Sequence, residues 1–160
     1  MAMPPTKDED RPNRLPWPPI LFAATLIAAW LLQTFAGVLS ITLAPVVVDL
    51  GWLLLLAGLG IGFAGFRGLR TAGTTFDPTG PATHLARGGI YEWSRNPMYL
   101  GATAAFLGLS LALSSAWLLV LSLVLPFLLA WLAIKPEEAY LGRRFGADYA
   151  AYCAKVRRWL

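Results

Sequence analysis

Residues 98–134 read MYLGATAAFLGLSLALSSAWLLVLSLVLPFLLAWLAI and contain no charged side chain. Apolar stretches of about 18 residues or more are the signature of a helix that crosses a membrane. Ser114-Ser115 divides the run, so it reads as two spans, about 98–114 and 116–134, joined by a tight turn. Pro126 lies inside the second of them and predicts a kink there.

The same deficit of charge extends towards the N-terminus. Between Leu15 and Phe66 the only charged residue is Asp49. This predicts a first span over about 20–44, ended by Pro45, and a second over about 46–66 that returns antiparallel. Gln33 and Thr34 interrupt the first span and are expected to face other helices. Asp49 reads as a residue at the water boundary; an aspartate deeper in the bundle would be a functional candidate. Gly58 and Gly62, four residues apart, predict close helix packing in lipid.

The chain is 57% hydrophobic and 14% charged, whereas a soluble domain carries roughly a quarter charged residues. The fold class expected is therefore all-α: a polytopic membrane protein with four transmembrane helices and a C-terminal amphipathic cytoplasmic helix. Residues 20–160 read as a single domain. Residues 1–19 are polar and rich in proline, and read as a disordered cytoplasmic tail with Trp17 at the interface. They lack the features of a cleaved signal.

The 13 Lys and Arg give a net charge of +4, and their placement decides what that charge means. They fall in three blocks, within residues 7–14, 67–95 and 135–158. Four crossings put all three blocks on one face, which is the positive-inside pattern. The reading is an integral protein, of the cell inner membrane, with both termini cytoplasmic and membrane lipids as its surroundings. It argues against a nucleic-acid partner. Cys153 is the only cysteine and His84 the only histidine. An internal disulfide and a multi-histidine metal site are thereby excluded, and no metal is expected.

The loop over residues 67–97 is long for a compact domain, and such loops are usually functional or disordered. Its prolines and glycines set turns. Phe76, Leu85, Ile90, Tyr91 and Trp93 offer apolar anchors, so it is expected to fold back over the helix ends. From 136 to 157 the pattern changes. Leu141, Phe145, Tyr149, Tyr152 and Val156 recur at helical spacing, which predicts an amphipathic helix on the cytoplasmic surface or against the helix ends. Gly146 inside it costs roughly 1 kcal/mol and marks a place where it can break.

The loop meets the third span at Arg95-Asn96-Pro97-Met98-Tyr99-Leu100-Gly101. A residue before proline avoids the helical region, and proline suits the first helical position. Pro97 therefore opens a helix whose free N–H groups face the cytoplasm. Two readings follow: a place to hold a small polar ligand, or an interfacial anchor of arginine and aromatic residues. Antiparallel third and fourth spans also bring Arg95 to the level of Glu137 and Glu138. That cluster reads either as a structural ion pair or as a pocket for a zwitterionic or cationic cofactor.

Gly89-Ile90-Tyr91-Glu92-Trp93-Ser94-Arg95-Asn96-Pro97-Met98-Tyr99-Leu100-Gly101, with Glu137-Glu138, Phe145-Gly146-Ala147-Asp148-Tyr149, Tyr152 and Val156-Arg157-Arg158, resembles the isoprenylcysteine carboxyl methyltransferase family and its phospholipid methyltransferase relatives. The resemblance covers about residues 74–159. It implies an integral membrane methyltransferase that uses S-adenosylmethionine on a lipophilic or lipidated acceptor. It also implies that the cofactor is bound by His84, Leu85 and Ala86, by Tyr91, by Arg95, Asn96, Pro97, Met98 and Tyr99, and by Glu137 and Glu138. No catalytic base is assigned. Asn96 stands where the family usually has histidine. Ala133 stands where prenylcysteine enzymes tend to carry a substrate arginine. Two rival readings remain: an NADPH-dependent membrane reductase of the sterol-reductase type, and a small membrane protein without enzymatic activity.

Overall fold

The computed structural model describes residues 11–36, 41–77 and 79–160. Among them every regular element is helical: α1 (Trp17–Phe35), α2 (Pro45–Thr71), a 3-10 turn (Gly89–Glu92), α3 (Pro97–Ala112), α4 (Ala116–Leu129), a π-turn (Ala130–Ile134) and α5 (Lys135–Lys155). Three helical stretches are long and apolar enough to cross a membrane: α1, α2 and the run from Ala116 to Lys155. The fourth apolar helix, α3, has 16 residues; at 1.5 Å per residue it is roughly 24 Å long. The protein is a polytopic all-α membrane protein.

Several boundaries differ from those read in the sequence. Pro45 opens α2 at its first turn instead of closing α1, which stops at Phe35. Proline has no N–H to lose there and its fixed φ already suits a helix. Residues 37–40, assigned to the first span, lie outside the described residues. α2 continues past Phe66 to Thr71 and halts at Gly73, whose φ is +68°. The fourth span and the C-terminal helix are fused. The Lys135 N–H reaches back to the carbonyl of Ala130, five residues away. Pro136 explains this. It supplies no N–H, and its ring crowds the carbonyl four residues before it, so the helix widens by one residue and carries on. α5 does break at Gly146, which takes φ 50° and ψ −120°.

Packing runs in the order α2, α3, α4, α1, because α1 packs chiefly against α4. Just before α2, the Ile41 N–H donates to the carbonyl of Ser114, in the turn between α3 and α4, at 3.3 Å. α2 and α3 form the closest pair. Gly51, Gly58 and Gly65 are buried along one stripe of α2. A Cβ at Gly51 would sit 2.6 Å from the Ala112 nitrogen, and one at Gly58 would sit 2.6 Å from the Gly101 carbonyl oxygen. The working interval is therefore seven residues, not the four that separate Gly58 from Gly62. A Cβ on Gly62 would meet nothing within 4 Å. In lipid, contact of this kind replaces the hydrophobic drive that holds soluble helices together.

On the other side of α4, Leu21 of α1 packs with the fully buried Leu125 and Leu129, and Phe22 lies 5.6 Å from Phe106, centroid to centroid. Ser115 caps α4, its hydroxyl accepting from the Leu118 N–H at 3.3 Å. Removing such a cap costs about 1 kcal/mol. Ser115→Ala is expected to lower the thermal midpoint in detergent by a few degrees with ligand binding unchanged.

Candidate functional site

The bundle opens at one end into a cavity of about 340 Å³, within the range of about 300–1,000 Å³ usual for small-molecule sites. Three pieces of chain build it. The first is the stretch that enters α3. Gly89 turns the backbone at φ +64°, and the 3-10 turn then buries Tyr91 against the end of α2, where a Cβ on Gly68 would sit 3.0 Å from the Tyr91 ring. Asn96, at φ −132° and ψ 53°, stays outside the helical region that a following proline disfavours, and Pro97 starts the helix.

The second piece is the first half of α5. Tyr99 on α3 donates its hydroxyl to Glu137 Oε2 at 3.1 Å. Arg95 Nη2 lies 3.3 Å from Glu138 Oε1, so residues over forty positions apart in the chain form one cluster. Glu138 is also gripped by Arg158, through Nε at 3.0 Å and Nη2 at 2.6 Å. The two acids thus differ in kind. Glu138 is neutralised by two guanidinium groups. Glu137 meets a tyrosine hydroxyl, and the charge that acts on it is the like charge of Glu138.

Burial pushes the Glu137 carboxyl up to about 7; the Tyr99 hydrogen bond opposes the rise and Glu138 adds to it. Burial, and then the charge of Glu137, also raise the Tyr91 hydroxyl well above its ordinary value. Arg95 donates through Nη1 to Cys153 Sγ, while its Nε is buried without a partner.

The third piece is the loop. His84, Leu85 and Ala86 line the wall together with Thr74, Phe76 and Asp77. His84 is exposed, with Nδ1 3.3 Å from the Gly73 carbonyl. The loop is tied to α5 where the Ala82 N–H donates to the Tyr140 hydroxyl at 3.0 Å.

Ten of the eleven residues singled out in the sequence line this cavity: His84, Leu85, Ala86, Tyr91, Arg95, Asn96, Met98, Tyr99, Glu137 and Glu138. Pro97 does not; it is buried beneath the start of α3. Asn96 reaches the wall, but its side-chain N–H donates to the Arg158 carbonyl at 3.0 Å, so that donor is spent within the protein.

Sequence reasoning missed two groups. Tyr149 and Tyr152, from the amphipathic face of α5, line the cavity, and so does Tyr140, which the periodic set does not include. Helical spacing was the available signal for the first two. Pro12, Pro18, Pro19 and Phe22 also line the cavity, and Asn13 donates to the Ala133 carbonyl at 3.4 Å. Nothing in a proline-rich N-terminal stretch announces that it walls a pocket. Residues 1–10 lie outside the described residues. Among the described residues no three metal-ligating side chains come together.

Comparison with known proteins bears on this geometry. A family model described as phospholipid methyltransferase matches residues 46–148. A Protein-S-isoprenylcysteine O-methyltransferase of Saccharomyces cerevisiae is 38% identical over 76 residues, 45% of this chain and 30% of the relative. The matched region therefore spans under a third of that relative's length. No solved structure matches the chain.

Proposed function

The chain belongs to the phospholipid methyltransferase family, and on that premise we propose that it transfers a methyl group from S-adenosylmethionine to a lipophilic acceptor at the cytoplasmic membrane face. Family membership is shown; the methyl transfer, the donor, the acceptor and the face are our reading. The observation that carries it is the convergence of the α3 start, the Glu137-Glu138 pair and the loop on one cavity.

The residues present fit such a donor. Arg95 Nε, buried and without a partner, would take a carboxylate oxygen of the donor's amino-acid end. Glu137 would take its hydroxyl or ammonium groups. The rings of Tyr91 and Tyr99 would stabilise a cationic sulphur. His84, Leu85, Ala86 and Met98 would enclose the rest, with Asn96 and Pro97 holding the backbone that carries Arg95. When bound, the donor supplies an electrophilic methyl on a sulfonium.

The protein's own part is then to align and to exclude water. The apolar part of the wall, with Phe22, Leu69 and Met98, suits a lipid-soluble acceptor arriving from the membrane. A carboxylate acceptor needs no base, whereas a thiol or an amine does. Ala133, fully buried, supplies no cation for an acceptor carboxylate. We read four crossings, α1 to α4, with both termini on the cytoplasmic side.

The test is binding of labelled S-adenosylmethionine and of NADPH to the detergent-purified chain. Saturable binding of the first, not competed by the second, is expected. Preference for NADPH would make the protein a reductase. Binding of neither would leave a membrane protein without this chemistry.

A further inference from the structure

The last residues of the chain run back across the motif that opens α3. After α5 the backbone becomes extended at Val156, with φ −119° and ψ 130°. Val156 is buried in a cluster with Tyr149 and Tyr152. The Arg95 N–H donates to the Arg157 carbonyl at 3.0 Å. The Arg158 carbonyl accepts from the Asn96 side chain at 3.0 Å and from the Ser94 hydroxyl at 3.4 Å. Ser94 and Asn96 are both buried. So three bonds from residues 94–96 fix the strap, and all three end on its main chain. Their effect is to leave the Arg158 side chain free to cross to Glu138, which it holds with two parallel bonds.

From this geometry we infer that Arg158 is a positioning residue of the donor pocket, acting through Glu138, and that Ser94 and Asn96 are the clamp that delivers it. The reading rests on the proposed donor site. A carboxylate with one cation can rotate between partners. A carboxylate with a forked guanidinium on one side and Arg95 on the other has a single orientation. Arg95, in turn, lines the cavity and is held there through its Nη2 contact with Glu138. The strap therefore sets the pocket's polar end without touching a ligand itself. It also gives Asn96 a role that needs no imidazole, because an amide N–H is sufficient to hold a carbonyl.

The experiment is a double-mutant cycle on the full chain, purified in detergent, with donor KM and kcat measured separately. Arg158→Gln is expected to raise the donor KM by about tenfold or more, the loss typical of a charge-assisted pair, with kcat changed by less than about threefold. In a Glu138→Gln background the same substitution is expected to add nothing. Arg158→Lys keeps charge but not the fork, and is expected to recover part of the loss; it carries the comparison should Arg158→Gln not fold. An unchanged KM, or full additivity with Glu138→Gln, would overturn the inference.

A second readout does not depend on the donor: hydrogen exchange at the Arg95 amide, together with alkylation of Cys153, which contacts Arg95. Both are expected to speed up in Arg158→Gln. If the unaltered chain binds no donor, the function proposed above fails, and this readout alone decides the strap. Unchanged rates would sink it.

Discussion

Gly58→Leu is expected to abolish accumulation of the folded protein, whereas Gly60→Leu, two residues along the same helix, is expected to leave it intact. The contrast comes from what each new side chain would meet. At Gly58 a Cβ would sit 2.6 Å from the Gly101 carbonyl oxygen and 2.9 Å from the Ala105 Cα. Those are backbone atoms of α3, and no rotamer change moves them. Overpacking a core usually costs about 1–3 kcal/mol because side chains shift to make room. Here the helices themselves must separate, and the whole seam from Gly51 to Gly65 opens with them. At Gly60 a Cβ would meet nothing within 4 Å. The measurement is recovery of monodisperse protein from detergent extracts, followed by its thermal midpoint. Equal recovery of the two variants would show that α2 and α3 do not meet along this stripe.

The same stripe shows what the sequence could and could not disclose. Charge-free runs made the helices legible, since a membrane span needs only length and an absence of charge. The meeting of Arg95 with Glu138 was legible too, because antiparallel neighbours place a helix start and a helix end at one level. The interval of the glycines was not. A helix with Gly51, Gly58, Gly60, Gly62 and Gly65 offers both a four-residue and a seven-residue stripe, and only the partner's position selects one. The order of the bundle was hidden for a similar reason. A short link says that α1 and α2 run antiparallel, but not that α3 and α4 lie between them. The fusion of the fourth span, read to 134, with the helix read from 136 was hidden because proline serves equally at a first turn and, with a π-turn before it, inside a longer helix. Asn96 was read by its motif alone. Its hydrogen bond to the chain's far end depends on where residue 158 lies, which no local pattern encodes.

Glu137→Gln separates function from stability more sharply than any other single change, because the two are expected to move in opposite directions. The carboxyl is lifted to about 7 by burial, above its ordinary unfolded value near 4.5. The sign follows from linkage. A group that holds its proton more tightly when folded contributes stability that is full below the unfolded pKa and is lost as pH rises through the folded one. Above about pH 7 the folded protein therefore bears a buried charge that it holds poorly. Glutamine keeps the shape and the bond from Tyr99 while removing that charge. At pH 8 the variant is expected to melt a few degrees higher than the unaltered protein. Donor affinity is expected to fall by about 10- to 100-fold, the worth of charged hydrogen bonds to the donor. In the unaltered protein donor affinity is expected to strengthen as pH rises through about 7, and in the variant that dependence is expected to vanish. Titration of labelled S-adenosylmethionine at several pH values, alongside melting curves, checks all three. A structural carboxylate predicts the reverse pattern, a less stable variant with binding lost only in proportion. A buried acid kept at a cost to the fold, beside a tyrosine and inside a cavity, is what a binding site would retain and a purely structural ion pair would not.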